Sequence, residues 1–108
     1  MIAISRFQVV AAGSAEFLER ANAAIEVLST ARGFRSVDFG RNLDEPELWT
    51  ITTRWDDVGS YRRALQGFAA KSVVVPLLSV AIDEPSAYDE PELVGENLAR
   101  GSHAGPLS

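Results

Sequence analysis

The stretch TRWDDVGSYRRAL, from Thr53 to Leu65, gathers the side chains best suited to chemistry in this chain. Trp55 and Tyr61 supply flat aromatic walls, and the Tyr61 phenol adds a hydrogen-bond donor. Arg54, Arg62 and Arg63 supply guanidinium groups for an anion, and Asp56 and Asp57 supply carboxylates. Such a set reads either as a catalytic constellation or as the joint where a strand turns into a helix. Each residue also has a purely structural use. A Trp at a strand end plugs a core, an Asp before a helix caps it, and a Tyr on an apolar stripe buries its ring.

The elements that must position these residues follow from periodicity. Residues 48–55, LWTITTRW, alternate as a strand, with Trp49, Ile51, Thr53 and Trp55 on one face and Leu48, Thr50, Thr52 and Arg54 on the other. Asp57 then reads as the N-cap of a helix whose stripe is Tyr61, Ala64, Leu65 and Phe68. Upstream, residues 2–10 alternate as a first strand, Ile2, Ile4, Arg6 and Gln8 against Ala3, Ser5, Phe7 and Val9. Ser14 is placed to cap a helix with Phe17, Leu18, Ala21, Ala24, Ile25 and Leu28 on its apolar side, and Gly33 to end it. Residues 34–42 alternate imperfectly, with Phe34, Ser36 and Asp38 against Arg35, Val37, Phe39 and Arg41. The turn LDEPE joins them to the next strand as a hairpin.

Residues 71–84 read as a short helix or irregular segment, with Pro76 in a first helical turn. A short last strand is expected around Ser86–Asp89. The order β-α-β-β-α-(α)-β is the ferredoxin-like split βαβ arrangement of an α+β domain, an antiparallel sheet with helices on one face. The bare face is expected to carry large apolar residues and to pair with a second copy.

Composition narrows the function classes. The 108 residues suit one domain, and 46% hydrophobic content suffices for a packed core. The net charge of −5 speaks against a nucleic-acid partner, which needs a basic face. The acidic excess is uneven. Residues 1–70 hold nine acids and eight bases, whereas residues 71–108 hold six acids and two bases. The expected division is therefore a domain over 1–90 and an acidic, flexible tail over 91–108. With no cysteine and a single His103 in that tail, neither a thiolate nor a histidine-rich metal site is expected. No apolar run is long enough to span a membrane, and the N-terminus does not read as a signal peptide, so a cytoplasmic location is expected.

The element order, the strand ending in Trp55, the acidic cap and Tyr61 six residues later resemble the antibiotic biosynthesis monooxygenase family. The resemblance covers roughly Met1 to Asp89. It implies a homodimer in which two ferredoxin-like sheets close an α+β barrel. It also implies a cofactor-free monooxygenase, with no metal, acting on a small aromatic or quinol-type substrate. Trp55 and Tyr61 match aromatic positions of that branch. Ile51 stands where it has an Asn, and Val75 near where it has an Arg. The haem-degrading branch is not matched, since Phe7, Ala64 and Val74 fall at or beside its Asn, Trp and His. The resemblance thus implies a pocket between sheet and helices, lined by Phe7, Trp49, Trp55, Tyr61 and Phe68. Tyr61 would donate a hydrogen bond and an Arg such as Arg54 would steady the anion. Asp38, a mid-strand acid, reads as a base at the site or as an ion-pair partner of Arg6 or Arg41. The alternative is a non-catalytic, small-molecule-binding or structural homodimer of the same fold.

Overall fold

The computed structural model describes residues 1–94; the remainder of the expected tail, 95–108 with His103, lies outside the described residues. Four strands, β1 (Ile2–Gln8), β2 (Phe34–Arg41), β3 (Leu48–Trp55) and β4 (Ala87–Tyr88), form one antiparallel sheet in the order β2-β3-β1-β4. Helices α1 (Ser14–Ser29), α2 (Val58–Ala64) and α3 (Val75–Leu78) complete the ferredoxin-like order. The two alternating runs fix the faces. Ala3, Ser5 and Phe7 of β1 and Trp49, Ile51, Thr53 and Trp55 of β3 are all buried on the helix side.

The imperfect alternation of β2 has a local cause. The register slips between Phe34 and Ser36, pairing Phe34 with Trp55 and Ser36 with Arg54. That bulge carries Phe34 to the helix side, where its ring meets Trp55 edge-on at 5.4 Å. Val37, Phe39 and Arg41 keep to the same side. The expected grouping of Phe34 with Ser36 and Asp38 is therefore corrected.

Helix boundaries also differ from the pattern. Ser14 is the first residue of α1 and not its cap; its hydroxyl donates to the Ala11 carbonyl at 2.9 Å. Leu18 lies outside the buried stripe of Phe17, Ala21, Ala24 and Leu28. The helix stops at Ser29, ahead of Gly33, which takes its positive φ of 89° in the following turn. Asp57 does cap α2, its Oδ1 accepting from the Ser60 amide at 2.8 Å. α2 ends at Ala64, and the turn through Gly67 sends Phe68 out to 88% exposure, off the expected stripe.

A π-helical turn, Ala70–Val74, leads into α3, which carries Pro76 in its first turn. Proline has no N–H and crowds the carbonyl four residues back, so a widened turn just ahead of it relieves the clash. Val74 and Leu77 from this segment are fully buried against α1. The chain then runs beside β1 as a strap. The Ile82 amide donates to the Arg6 carbonyl at 2.8 Å and the Ile4 amide to the Ser86 carbonyl at 2.7 Å. Residues 91–94 add a helical turn after β4.

The bare sheet face is more polar than the sequence suggested. Its central rows read Ile2–Arg54–Ser36, Ile4–Thr52–Asp38 and Arg6–Thr50–Gly40 across β1, β3 and β2. Threonines and charges outnumber the two isoleucines there.

Candidate functional site

The aromatic residues on the helix side form two groups. At one end Phe17 packs on Phe7 at 5.0 Å and on Trp49 at 5.3 Å, and Phe39 stacks on Trp49 at 5.6 Å. The Arg41 guanidinium covers the Trp49 ring at 4.6 Å, and the Trp49 indole N–H is buried without an acceptor among the described residues. At the other end Trp55 lies between Phe34 and Tyr61, with the Tyr61 ring at 5.6 Å. Trp49 and Trp55 are six strand positions apart, or roughly 20 Å at the usual rise of a strand. They do not line one small pocket. Phe7, paired across the strands with Trp49, belongs to the first group and is 1% exposed. Phe68 borders a different depression, beside Val27, Ala31, Arg32 and Arg63.

An open cleft of about 450 Å³ lies between β1, the tip of α3 and the strap, close to the second aromatic group. Ser5 floors it from the sheet, Tyr61 walls it from α2, and Leu78, Ala81 and Ile82 add apolar surface. Of the core-facing row Ala3, Ser5, Phe7 on β1, only the small Ser5 reaches the cleft, with Ile4 beside it at the strand edge. Tyr61 is half-buried, and burial raises its phenol above the ordinary value of 10.0, so it stays protonated at neutral pH. Its hydroxyl makes no hydrogen bond to the described residues. Trp55 supports it from behind, and the Trp55 N–H is already committed to Thr53 Oγ1 at 2.8 Å.

The remaining candidates sit elsewhere. Arg54 is exposed on the opposite face of β3 and lines an open cavity of about 660 Å³ together with Trp55, Met1, Ile2, Ser36 and Tyr88. Tyr61 does not line that cavity, and Arg54 does not line the cleft of Tyr61. Asp38 is exposed on that bare face and makes no ion pair among the described residues. Neither expected partner takes it. Arg6 holds Glu84 through two bonds of 2.7 Å, and Arg41 Nε donates to the Pro46 carbonyl. Asp56 lies within 3.7 Å of Arg35 in an exposed pair. The residues that sequence reading missed are Ser5, Asp83 and Glu84, which line the cleft with Tyr61. Arg6 and Glu84 are 78 positions apart, so no local pattern announces their pairing. Ile51, at the position of the resembled branch's Asn, is buried core, and Val75 is exposed on α3. Among the described residues no group of three His, Cys, Asp or Glu is placed to hold a metal ion. No helix among them is long and apolar enough to cross a membrane.

A four-stranded antiparallel sheet with helices on one face and a cleft on the helix side defines a small ferredoxin-like α+β protein. The family model described as antibiotic biosynthesis monooxygenase matches residues 1–74, and the chain belongs to that family. Comparison with curated proteins gives no match. Among solved structures, a cofactor-independent oxygenase from Streptomyces nogalater, SnoaB, is similar at a TM-score of 0.67 and 20% identity, covering 83% of this chain and 94% of its own. A conserved protein from Methanosarcina mazei is similar at 0.66 and 24% identity, over 80% and 84% of the two chains. A putative antibiotic biosynthesis monooxygenase from Nitrosomonas europaea matches at 0.66 and 13% identity, over 83% and 97%. At these identities the likeness is one of fold.

Proposed function

We propose that the protein is a cofactor-independent monooxygenase of a small aromatic or quinol-type substrate, working in the cytoplasm as a homodimer closed through the bare sheet faces. The observation that carries this reading is the Tyr61 phenol, protonated and making no hydrogen bond to the described residues, in the wall of an open cleft of about 450 Å³. Family membership and a structural neighbour described as a cofactor-independent oxygenase support it.

Direct reaction with dioxygen needs a substrate that loses a proton to become an electron-rich anion. That anion gives an electron to dioxygen, the two radicals combine as a carbon-bound peroxide, and loss of water leaves a carbonyl. A ring CH₂, present in an anthrone and in the keto tautomer of a quinol, and O₂ thus become C=O and H₂O. The protein's part is to desolvate the ring, accept the first proton and hold the anion. Tyr61 donates to the developing oxyanion. Asp83, on the cleft rim and outside any ion pair among the described residues, serves as base, whereas Glu84 is tied to Arg6. Arg54 faces away from this cleft, and its place in the reading is the dimer face.

Oxygen uptake with a panel of anthrones and hydroquinones tests the proposal. Uptake matched to carbonyl product is expected, falling at least about tenfold in Tyr61→Phe, the scale for one donor to a transition-state anion. No turnover above blank across the panel overturns it. A second reading, a binding dimer without chemistry, is favoured by the apolar Ile51 and Val75. Turnover that depends on Tyr61 overturns that one.

A further inference from the structure

We propose that Ser5 is a substrate-positioning residue, its hydroxyl on the floor of the cleft and that of Tyr61 on the facing wall receiving oxygen substituents at opposite ends of one ring. The inference deepens the monooxygenase reading and rests on its choice of this cleft as the ligand site. It starts from an oddity in β1. The core-facing row is Ala3, Ser5, Phe7, and Ser5 is only 7% exposed. Its hydroxyl makes no bond to the described residues yet is not sealed off in the core, so it is open to a partner arriving in the cleft. Its cross-strand neighbour is Ile51, which offers nothing polar. Thr50 Oγ1 donates to the Ser5 carbonyl at 3.3 Å, not to its side chain.

The other buried polar residues are committed. Thr53 Oγ1 accepts from Trp55, and Ser60, whose amide donates to Asp57, has its hydroxyl beside that same carboxylate and helps hold its pKa down. Within the cleft Ser79 is committed as well, donating to the Pro76 carbonyl at 2.6 Å. Ser5 and Tyr61 line the same cleft from sheet and helix, and neither hydroxyl bonds to the described residues. A flat ring entering between them lies against Leu78 and Ile82 and directs one edge to β1 and the other to α2. A ring with oxygen at both ends, the para-quinol pattern, satisfies both hydroxyls. A ring with oxygen at one end leaves one of them dry and unpaired. Ser5 is thereby a determinant of specificity, selecting doubly oxygenated rings, and takes no part in proton transfer.

The test is anaerobic binding, so it needs no turnover. Affinities for para-naphthohydroquinone and for alpha-naphthol are read from quenching of tryptophan fluorescence, since Trp55 backs Tyr61. The unaltered protein is expected to prefer the quinol by about tenfold, the worth of one net hydrogen bond. In Ser5→Ala the preference falls toward one while naphthol affinity is kept. Ser5→Cys, which keeps the volume and weakens the donor, reproduces the loss if the alanine variant does not fold. An unchanged preference in the folded variant overturns the proposal, as does failure of the unaltered protein to bind either probe. The two ideas separate under air. A preference lost in Ser5→Ala with no oxygen uptake leaves Ser5 standing and removes the monooxygenase; uptake with an unaltered preference does the reverse.

Discussion

The indole N–H of Trp55 donates to Thr53 Oγ1 at 2.8 Å, two residues back on the same face of β3. The ring is 1% exposed and touches Phe34 on one side and Tyr61 on the other. Trp49 has equal bulk, but its N–H is buried with no acceptor among the described residues. The two tryptophans therefore differ in what a phenylalanine would cost. Trp55→Phe opens a void and strands the Thr53 hydroxyl, and about 2 to 4 kcal/mol of stability is expected to be lost. Trp49→Phe also loses volume and part of the Arg41 contact, yet it removes an unpaired donor. A net loss of about 1 kcal/mol or less is expected there. Urea unfolding of both variants reads the difference, and equal losses contradict the assignment.

Gly33 gives a second prediction. Its φ of 89° is a conformation L residues avoid, and a Cβ there would overlap the buried Ser60 side chain. The Gly33 carbonyl also accepts from the Asp56 amide at 2.9 Å, which pins the turn against the start of α2. Gly33→Ala is expected to cost about 2 to 4 kcal/mol, combining the left-handed penalty with displacement of α2. At Gly67 a Cβ would meet no atom within 4 Å, so Gly67→Ala is the control, within about 1 kcal/mol of the parent. Denaturant midpoints for the pair check this.

The faces of the sheet were legible because alternation reports which way a side chain points. Trp49, Ile51, Thr53 and Trp55 were grouped correctly for that reason. Alternation does not report distance along the strand, so Trp49 and Trp55 looked like walls of one pocket when they anchor two aromatic groups. The bulge beside Arg35 was hidden because it is a backbone event that leaves composition unchanged. Phe68 was misplaced because a helical stripe was continued across the Gly67 turn. Ser5 is not legible as a cleft residue: a serine on a strand row carries no sign of the surface it borders. Glu84 was invisible for another reason, since its partner lies at the far end of the chain.

The Arg6–Glu84 pair predicts an acid-sensitive strap. The bidentate bond to Arg6 holds the Glu84 carboxyl below its ordinary value of 4.5, and burial opposes this more weakly. A carboxyl whose folded value is depressed stabilises the structure above its unfolded value, and that contribution is lost as pH falls through the folded one. Protonation should therefore loosen the segment that walls the cleft. Amide exchange at Ile82 and Ile4, corrected for intrinsic rates, is expected to speed up as pH drops below the ordinary glutamate range. Glu84→Gln should remove most of this pH dependence, with protection already reduced near neutrality. An exchange pattern that is the same for both proteins across pH contradicts the latch.

Thr52 tests the dimer. It stands at the centre of the bare face, between Ile4 on β1 and Asp38 on β2, with Arg54 and Thr50 as its neighbours along β3. Its side chain points away from the helices, so the packing of Trp49, Ile51 and Trp55 does not depend on it. If two copies close through this face, Thr52→Glu buries a carboxylate beside Asp38 in the middle of the contact. Burying an unpaired charge costs several kcal/mol, enough to dissociate a dimer of ordinary strength. Sedimentation at micromolar concentration is expected to show a dimer for the parent and a monomer for Thr52→Glu, with circular dichroism unchanged. A parent that sediments as a monomer removes the barrel from the proposed function. A variant that stays dimeric places the contact on some other surface, and Arg54 then loses the role assigned to it.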